Sequence, residues 1–313
     1  MMKNYGKVAL LLAGILLASV LLTAFTGTVP VGTGSPRRTV VTTVYPLYVA
    51  ALNLLDGVEG TEAVNLTGSA TGCLHDYQLS PANRITLQNA AVVVLNGAGA
   101  EAFLEDLLPE LTAPVVDTSV GVTLLPAGEH HHEEHEEHEY HDDHEEYNEH
   151  IWTSPAGYAR QVENLMAGLI EADPANAAAY QKNGEAYLRE IDKIAQELAA
   201  LKDKVPAAGI LFHDSLSYLA AELGITPAVT LSMGEDSGVS AAELSQAQEA
   251  ARKDPTLWVM YDSQYTGRYS TVDQAVDAKR VLTLNTGVLG TGDRRDWITA
   301  MEQNILTMKE ALA

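Results

Sequence analysis

The chain is poor in sulfur, in aromatic rings and in positive charge. One cysteine, Cys73, stands among 313 residues. No internal disulfide can form and no multi-thiolate zinc site can be built, so Cys73 reads as a small buried side chain. Aromatics make up 6% of the sequence, which leaves the core to Leu, Val, Ile and Ala. Lys and Arg total 19 against 42 Asp and Glu, for a net charge of -23. Such a surface repels nucleic acid and anionic lipid and suits small cations, so no nucleic-acid partner is expected. A glycine-rich phosphate loop after a strand is also missing. NGAGAEAF (96–103) comes nearest and lacks the G-x-G-x-x-G spacing, which argues against a nucleotide cofactor.

What is present begins with the N-terminus. Lys3 and Lys7 precede the uncharged run VALLLAGILLASVLLTAF, a basic region followed by an apolar one, as in an export signal. The run is long for a signal and close to the ~18 residues of a short spanning helix, so an uncleaved anchor is the alternative. No cysteine stands near it, which argues against a lipid-modified N-terminal cysteine. TGTVPVGTGSP (26–36) reads as a flexible tether. The expected location is outside the cytoplasmic membrane, in a periplasm or on the membrane's outer face.

Short β-rich runs then alternate with helical patterns. Four occur early (39–45, 63–67, 91–97, 114–119) and four late (209–212, 228–231, 257–262, 280–284). This is the βαβ pattern of parallel sheets, occurring twice, and predicts an α/β fold of two lobes with about four strands each. Between the sets lies helical sequence. Val162, Leu165, Met166, Leu169 and Ile170 mark one buried face. A second helix starts at Asp173-Pro174 and runs to Lys204, with Leu188, Ile191, Ala195, Leu198 and Leu201 on its stripe and Gly184 as its weak point. At 1.5 Å per residue it would be ~45 Å long, enough to span two lobes. The chain thus divides into a signal or anchor (1–25), a tether (26–38), an N-terminal α/β lobe (39–172), a linking helix (173–204) and a C-terminal α/β lobe (205–313).

Residues 129–149 are almost wholly His, Glu and Asp. Eleven of the 42 acidic residues lie there, leaving 31 against 19 basic ones elsewhere; the rest of the chain is acidic too. Low-complexity sequence of this kind cannot pack a core, so a disordered, solvated loop is expected at 127–149. Its seven histidines (His130, His131, His132, His135, His138, His141 and His144) offer weak, multidentate cation binding that should fade in mild acid. The string H-x-x-E-H at 131–135 arises by accident in such a repeat.

Three histidines stand apart: His75, His150 and His213. His75 (GCLHDYQLSP) and His150 (EHIWTSP) each precede a helix opened by Ser-Pro. His213 (GILFHDSLSY) sits at the carboxyl end of a strand, where open α/β sheets bind ligands. One histidine at a strand end is usually structural. Three in matched settings, from both lobes, point to one cleft holding zinc, with Asp76 and Asp214 as candidates to orient the rings. Ile151 and Trp152 can anchor His150, and Ser154 can cap the next helix.

HDYQLSP, the His-rich loop, HIWTSP and FHDSLSYLAAELGI together resemble the periplasmic zinc-binding components of bacterial ABC importers, among the metal-binding (cluster A-I) solute-binding proteins. DPANAAAYQKNGEAYL and DWITAMEQNILTMKEAL extend the likeness over about 39–313. The resemblance implies two α/β lobes joined by one long backbone helix, a metal between them on His75, His150 and His213, and Zn2+ as cargo handed to a membrane permease. It also implies a collecting role for the His-rich loop. Relatives that take manganese usually have a carboxylate at the His213 position, so imidazole there favours zinc. At the fourth position this chain reads TLNTGVLG, with Asn285 where many relatives carry Asp. Water, Asn285, a residue of the His-rich tract or, less readily, Asp262 is left to complete the sphere. A monomer without catalytic activity is expected. The alternatives are a zinc hydrolase using the same histidines and a metal-stabilised surface adhesin.

Overall fold

The computed structural model describes residues 37–68, 74, 77–127, 147–231, 239–265 and 278–313. His75, Cys73, Asp76 and the seven tract histidines lie outside these residues, as do the expected signal or anchor and nearly all of the tether. No helix among the described residues is long and apolar enough to cross a membrane.

Two four-stranded sheets form, both parallel throughout. The first holds β1 (Arg38–Thr42), β2 (Thr61–Asn65), β3 (Val92–Leu95) and β4 (Val115–Asp117) in the order β2-β1-β3-β4. The second holds β5 (Ala208–Leu211), β6 (Thr226–Thr230), β7 (Trp258–Asp262) and β8 (Val281–Leu284) in the order β6-β5-β7-β8. All eight expected strands are therefore present, as expected of two α/β lobes. In β3 every residue, VVVL, is buried, because helices cover both faces of a parallel sheet and leave no polar side to alternate with.

Helices α1 (Tyr45–Leu54), α2 (Pro81–Gln88), α3 (Pro155–Ala172), α4 (Ala177–Ala199), α5 (Ser217–Leu223), α6 (Ala241–Lys253) and α7 (Asp296–Ala311) complete the described fold. Their starts follow local chemistry. Ser80 and Asn83 form a capping box on α2, as do Ser240 and Glu243 on α6. Ser154 caps α3 by accepting from the Gly157 N–H (3.2 Å), with Pro155 in the first turn.

The linking helix departs from expectation in two ways. Pro174–Asn176 forms a tight 3-10 turn, and α4 proper is 23 residues, or about 35 Å. Asp173 does not cap it; its carboxylate pairs with Arg38 (3.3 Å) and accepts from Tyr180 (2.9 Å). The buried stripe is Tyr180, Gly184, Tyr187, Ile191, Ile194 and Leu198, rotated toward the two tyrosines, whose large rings gain more from burial than Leu188 and Ala195. Gly184 is no weak point. A Cβ there would overlap Met166 Sδ of α3, so glycine is what lets α3 and α4 touch.

One hydrophobic core runs from Val40 and Val94 of the first sheet through Leu165, Ile191 and Leu198 to Trp258 and Leu282 of the second. Smaller clusters cover the outer faces. Trp152 ties the lobes further. Its Nε1–H donates to the Thr286 carbonyl (2.9 Å), and its own carbonyl accepts from Trp297 Nε1–H (2.9 Å). Trp297 stacks on Tyr158 at 4.3 Å.

Candidate metal centre

In the C-terminal lobe the candidate residues lie at the carboxyl ends of strands. His213 comes two residues after β5, and Asp262 is the last residue of β7, so the C-terminal lobe presents its chemistry where its strand order reverses. His150 rides the segment 147–154, held to the first lobe by Asn96, whose Nδ2 donates to the Glu149 carbonyl (2.9 Å). Ile151 and Trp152 are buried beside it, the anchoring expected of them.

The fold brings His150 and His213 together. Their ring centroids are 5.3 Å apart and the planes cross at 88°. Both side chains are about 5% exposed, so neither is a solvated bead of the tract. His150, His213 and Asp214 have donor atoms within 4.8 Å of one another, the grouping of metal-ligating side chains found among the described residues.

The nitrogens differ in what they face. His150 Nδ1 lies 3.0 Å from Asn148 Oδ1 and 3.8 Å from Asp214 Oδ1. Its Nε2 lies 3.9 Å from Glu149 Oε1. His213 Nδ1 accepts from the Ser215 N–H at 3.0 Å and sits 3.1 Å from Asp214 Oδ1. Asp214 thus flanks the Nδ1 side of both rings, where an outer carboxylate orients a ligating imidazole. Glu149 flanks the Nε2 side of His150. Donor atoms around tetrahedral zinc are about 3.3 Å apart, so a small movement brings Glu149 into range. Burial, then neighbouring His150, hold the His213 pKa below its usual value, which keeps the ring neutral and able to donate a lone pair into mild acid.

Asp262 and Asn285 both carry hydrogen bonds within the protein. The Asp262 carboxylate accepts from Ser215 Oγ (3.0 Å), the Gln264 Nε2 and N–H (2.7 and 3.1 Å) and Thr286 Oγ1 (3.2 Å). It braces the His213 turn through Ser215. Asn285 Oδ1 accepts from the Gly287 N–H (2.8 Å), and its backbone clasps Asn304 of α7; it shapes a turn. Sequence reasoning missed Asn148 and Glu149, which it assigned to a solvated loop. Here Asn148 is 1% and Glu149 4% exposed, and Tyr147 pairs with Pro126 in an isolated bridge. The signal was their position directly before His150-Ile151-Trp152, since an anchored His requires anchored neighbours.

Two α/β lobes with buried imidazoles facing across the cleft define a two-lobed metal-binding protein. Residues 40–311 match the model of the family described as ZnuA, zinc-uptake complex component A, periplasmic, and the chain belongs to that family. It is 28% identical over 284 residues to the high-affinity zinc uptake system protein ZnuA of Bacillus subtilis, covering 87% of each chain. It is 27% identical over 189 residues to the iron-binding protein YfeA of Yersinia pestis, covering 59% of this chain and 56% of that one. In fold it is similar to the SBP FpvC of Pseudomonas aeruginosa in complex with Ni2+, with a TM-score of 0.71 at 22% identity over 88% of this chain and 97% of that one.

Proposed function

We propose that this chain captures zinc outside the cytoplasmic membrane and delivers it to the permease of an ABC transporter. The observation that carries the reading is the meeting of two buried imidazoles from separate lobes, His150 and His213, with carboxylates on both sides. His150 and His213 are the metal ligands in this reading, His75 the third, and Glu149 the carboxylate nearest a fourth position. Imidazole donors favour zinc over manganese or calcium. The His-rich tract supplies ions to this site and is not the site. The protein binds its cargo and catalyses no reaction, so ester or peptide turnover should not track zinc occupancy. It acts as a monomer.

The test is zinc stoichiometry and affinity, by chelator competition, in the intact chain and in one lacking 129–146. One tight site should survive the deletion, and manganese should compete poorly for it. Loss of tight binding on deletion would put the function in the tract and overturn the reading. A site preferring manganese or iron would move the cargo to that ion, in line with the iron-binding relative.

A further inference from the structure

We infer that Asn148 is a positioning residue that fixes the tautomer of His150 and makes that setting depend on contact between the lobes. The inference rests on the zinc-capture reading and adds a residue to it.

The orientation of the Asn148 amide follows from its backbone partners. Oδ1 accepts the His150 backbone N–H at 2.9 Å, and Nδ2 donates to the Asp214 carbonyl at 2.9 Å. Turned over, the amide would set N–H against N–H and oxygen against oxygen, so both bonds would be lost. Oδ1, an acceptor, therefore also meets the His150 ring at Nδ1, 3.0 Å away. Only a ring carrying its proton on Nδ1 satisfies that contact. The Nε2 lone pair is left available, on the side where Glu149 Oε1 lies at 3.9 Å. A metal-binding imidazole needs this arrangement, with one nitrogen protonated and held and the other open.

The Nδ2 bond reaches across the molecule, since Asp214 belongs to the C-terminal lobe and adjoins His213. The Asn148 carbonyl makes a second crossing by accepting from Tyr218 Oη–H of α5 at 2.8 Å, and that same Tyr218 oxygen accepts from the Leu125 N–H at 3.0 Å. Asn148 is 1% exposed, so water does not compete for these bonds. His150 is thus set for metal only while the segment beside His213 is in place. His213 is set the other way. Its Nδ1 accepts from Ser215 N–H, which puts the proton of its neutral ring on Nε2.

The test uses the full chain, zinc-free, at a pH where the rings are neutral. Nitrogen-15 shifts of His150 report its tautomer, and chelator competition reports zinc affinity. The unsubstituted protein should show His150 protonated on Nδ1. Asn148→Ala should shift it toward the Nε2–H form favoured in water and weaken zinc binding by roughly 10- to 100-fold, the usual cost of losing an outer-shell partner. Asn148→Asp keeps an acceptor at Nδ1 but loses the donor to the Asp214 carbonyl, so it should restore the Nδ1–H signature without the crossing bond and without full zinc affinity. A His150 that is Nε2-protonated in the unsubstituted chain overturns the inference. So does an Ala variant that keeps both the Nδ1–H signature and full affinity. The shift measurement needs no zinc, so absence of tight zinc binding would defeat the functional reading while leaving the tautomer question decided.

Discussion

The two lobes share a strand order and finish their sheets differently. In the C-terminal lobe the turn after β5 carries His213 into the cleft, and Asp262 at the end of β7 braces that turn through Ser215. In the N-terminal lobe the equivalent place, two residues after β1, is the apolar Val44, and the polar residue before it is Thr43. Its hydroxyl donates to the Glu101 carboxylate (2.5 Å), which also accepts the N–H groups of Asn96 (2.7 Å) and Gly97 (3.1 Å) beyond β3. That network is closed on itself and presents no ligand. His150 comes instead from a segment fastened by Asn96, Asn148 and Trp152. The C-terminal lobe places His213 with a strand; the N-terminal lobe places His150 with side-chain hydrogen bonds. Ligand placement should therefore be sturdy on one side of the cleft and conditional on the other.

The largest effect that would break this contrast is at Trp152. It is 3% exposed and bonded to the other lobe through both its indole and its carbonyl. Trp152→Ala should cost about 3–5 kcal/mol of stability and disturb His150, read by thermal unfolding and zinc affinity together. A variant of normal stability would mean the segment is held without it. Next is His213→Ala in a chain lacking 129–146. Removing a strand-placed ligand should weaken zinc binding roughly 100-fold or more, about 2.8 kcal/mol, with little change in melting temperature. Equal affinity with and without the imidazole would end the claim that this lobe contributes a ligand.

The smallest effect sharpens the comparison from the closed network. Burial pushes the Glu101 carboxyl up to about 7 from 4.5, against the restraining bonds from Thr43, Asn96 and Gly97. A raised acid means that the folded state holds its proton longer than the unfolded state does. Stability is then full below about pH 4.5 and falls as the pH rises through about 7, by on the order of 3 kcal/mol. Glu101→Gln should flatten that slope in denaturant titrations at several pH values. An unchanged slope would show that the three hydrogen bonds already keep Glu101 ionised when folded.

Much of the architecture could be read from residue order. AVVVLNG predicts a strand because a buried parallel strand is one unbroken apolar run, and Ser80-Pro81 and Ser154-Pro155 announce helices through capping chemistry. His150 could be separated from the tract because Ile151 and Trp152 must be buried. Asn285 and Asp262 were placed near a metal only by their position after a strand. The partners that occupy them, Asn304, Ser215 and Thr286, leave no mark in the local sequence. The stripe of α4 was misread by part of a turn because Leu and Tyr are hard to rank for burial without knowing which cavity each fills.

The sequence alone determined what repeats over a few residues: eight strands, two α/β lobes, an acidic body, a His/Glu tract and three histidines at element boundaries. Period and capping act through neighbours along the chain, so they are written there. Tertiary structure alone decided which His nitrogen faces the cleft, that Asn148 and Glu149 are interior, and that Asp214 flanks both rings. Asn148 and Asp214 lie 66 positions apart. A hydrogen bond between them exists only because both lobes have folded and met, and no local pattern records that meeting.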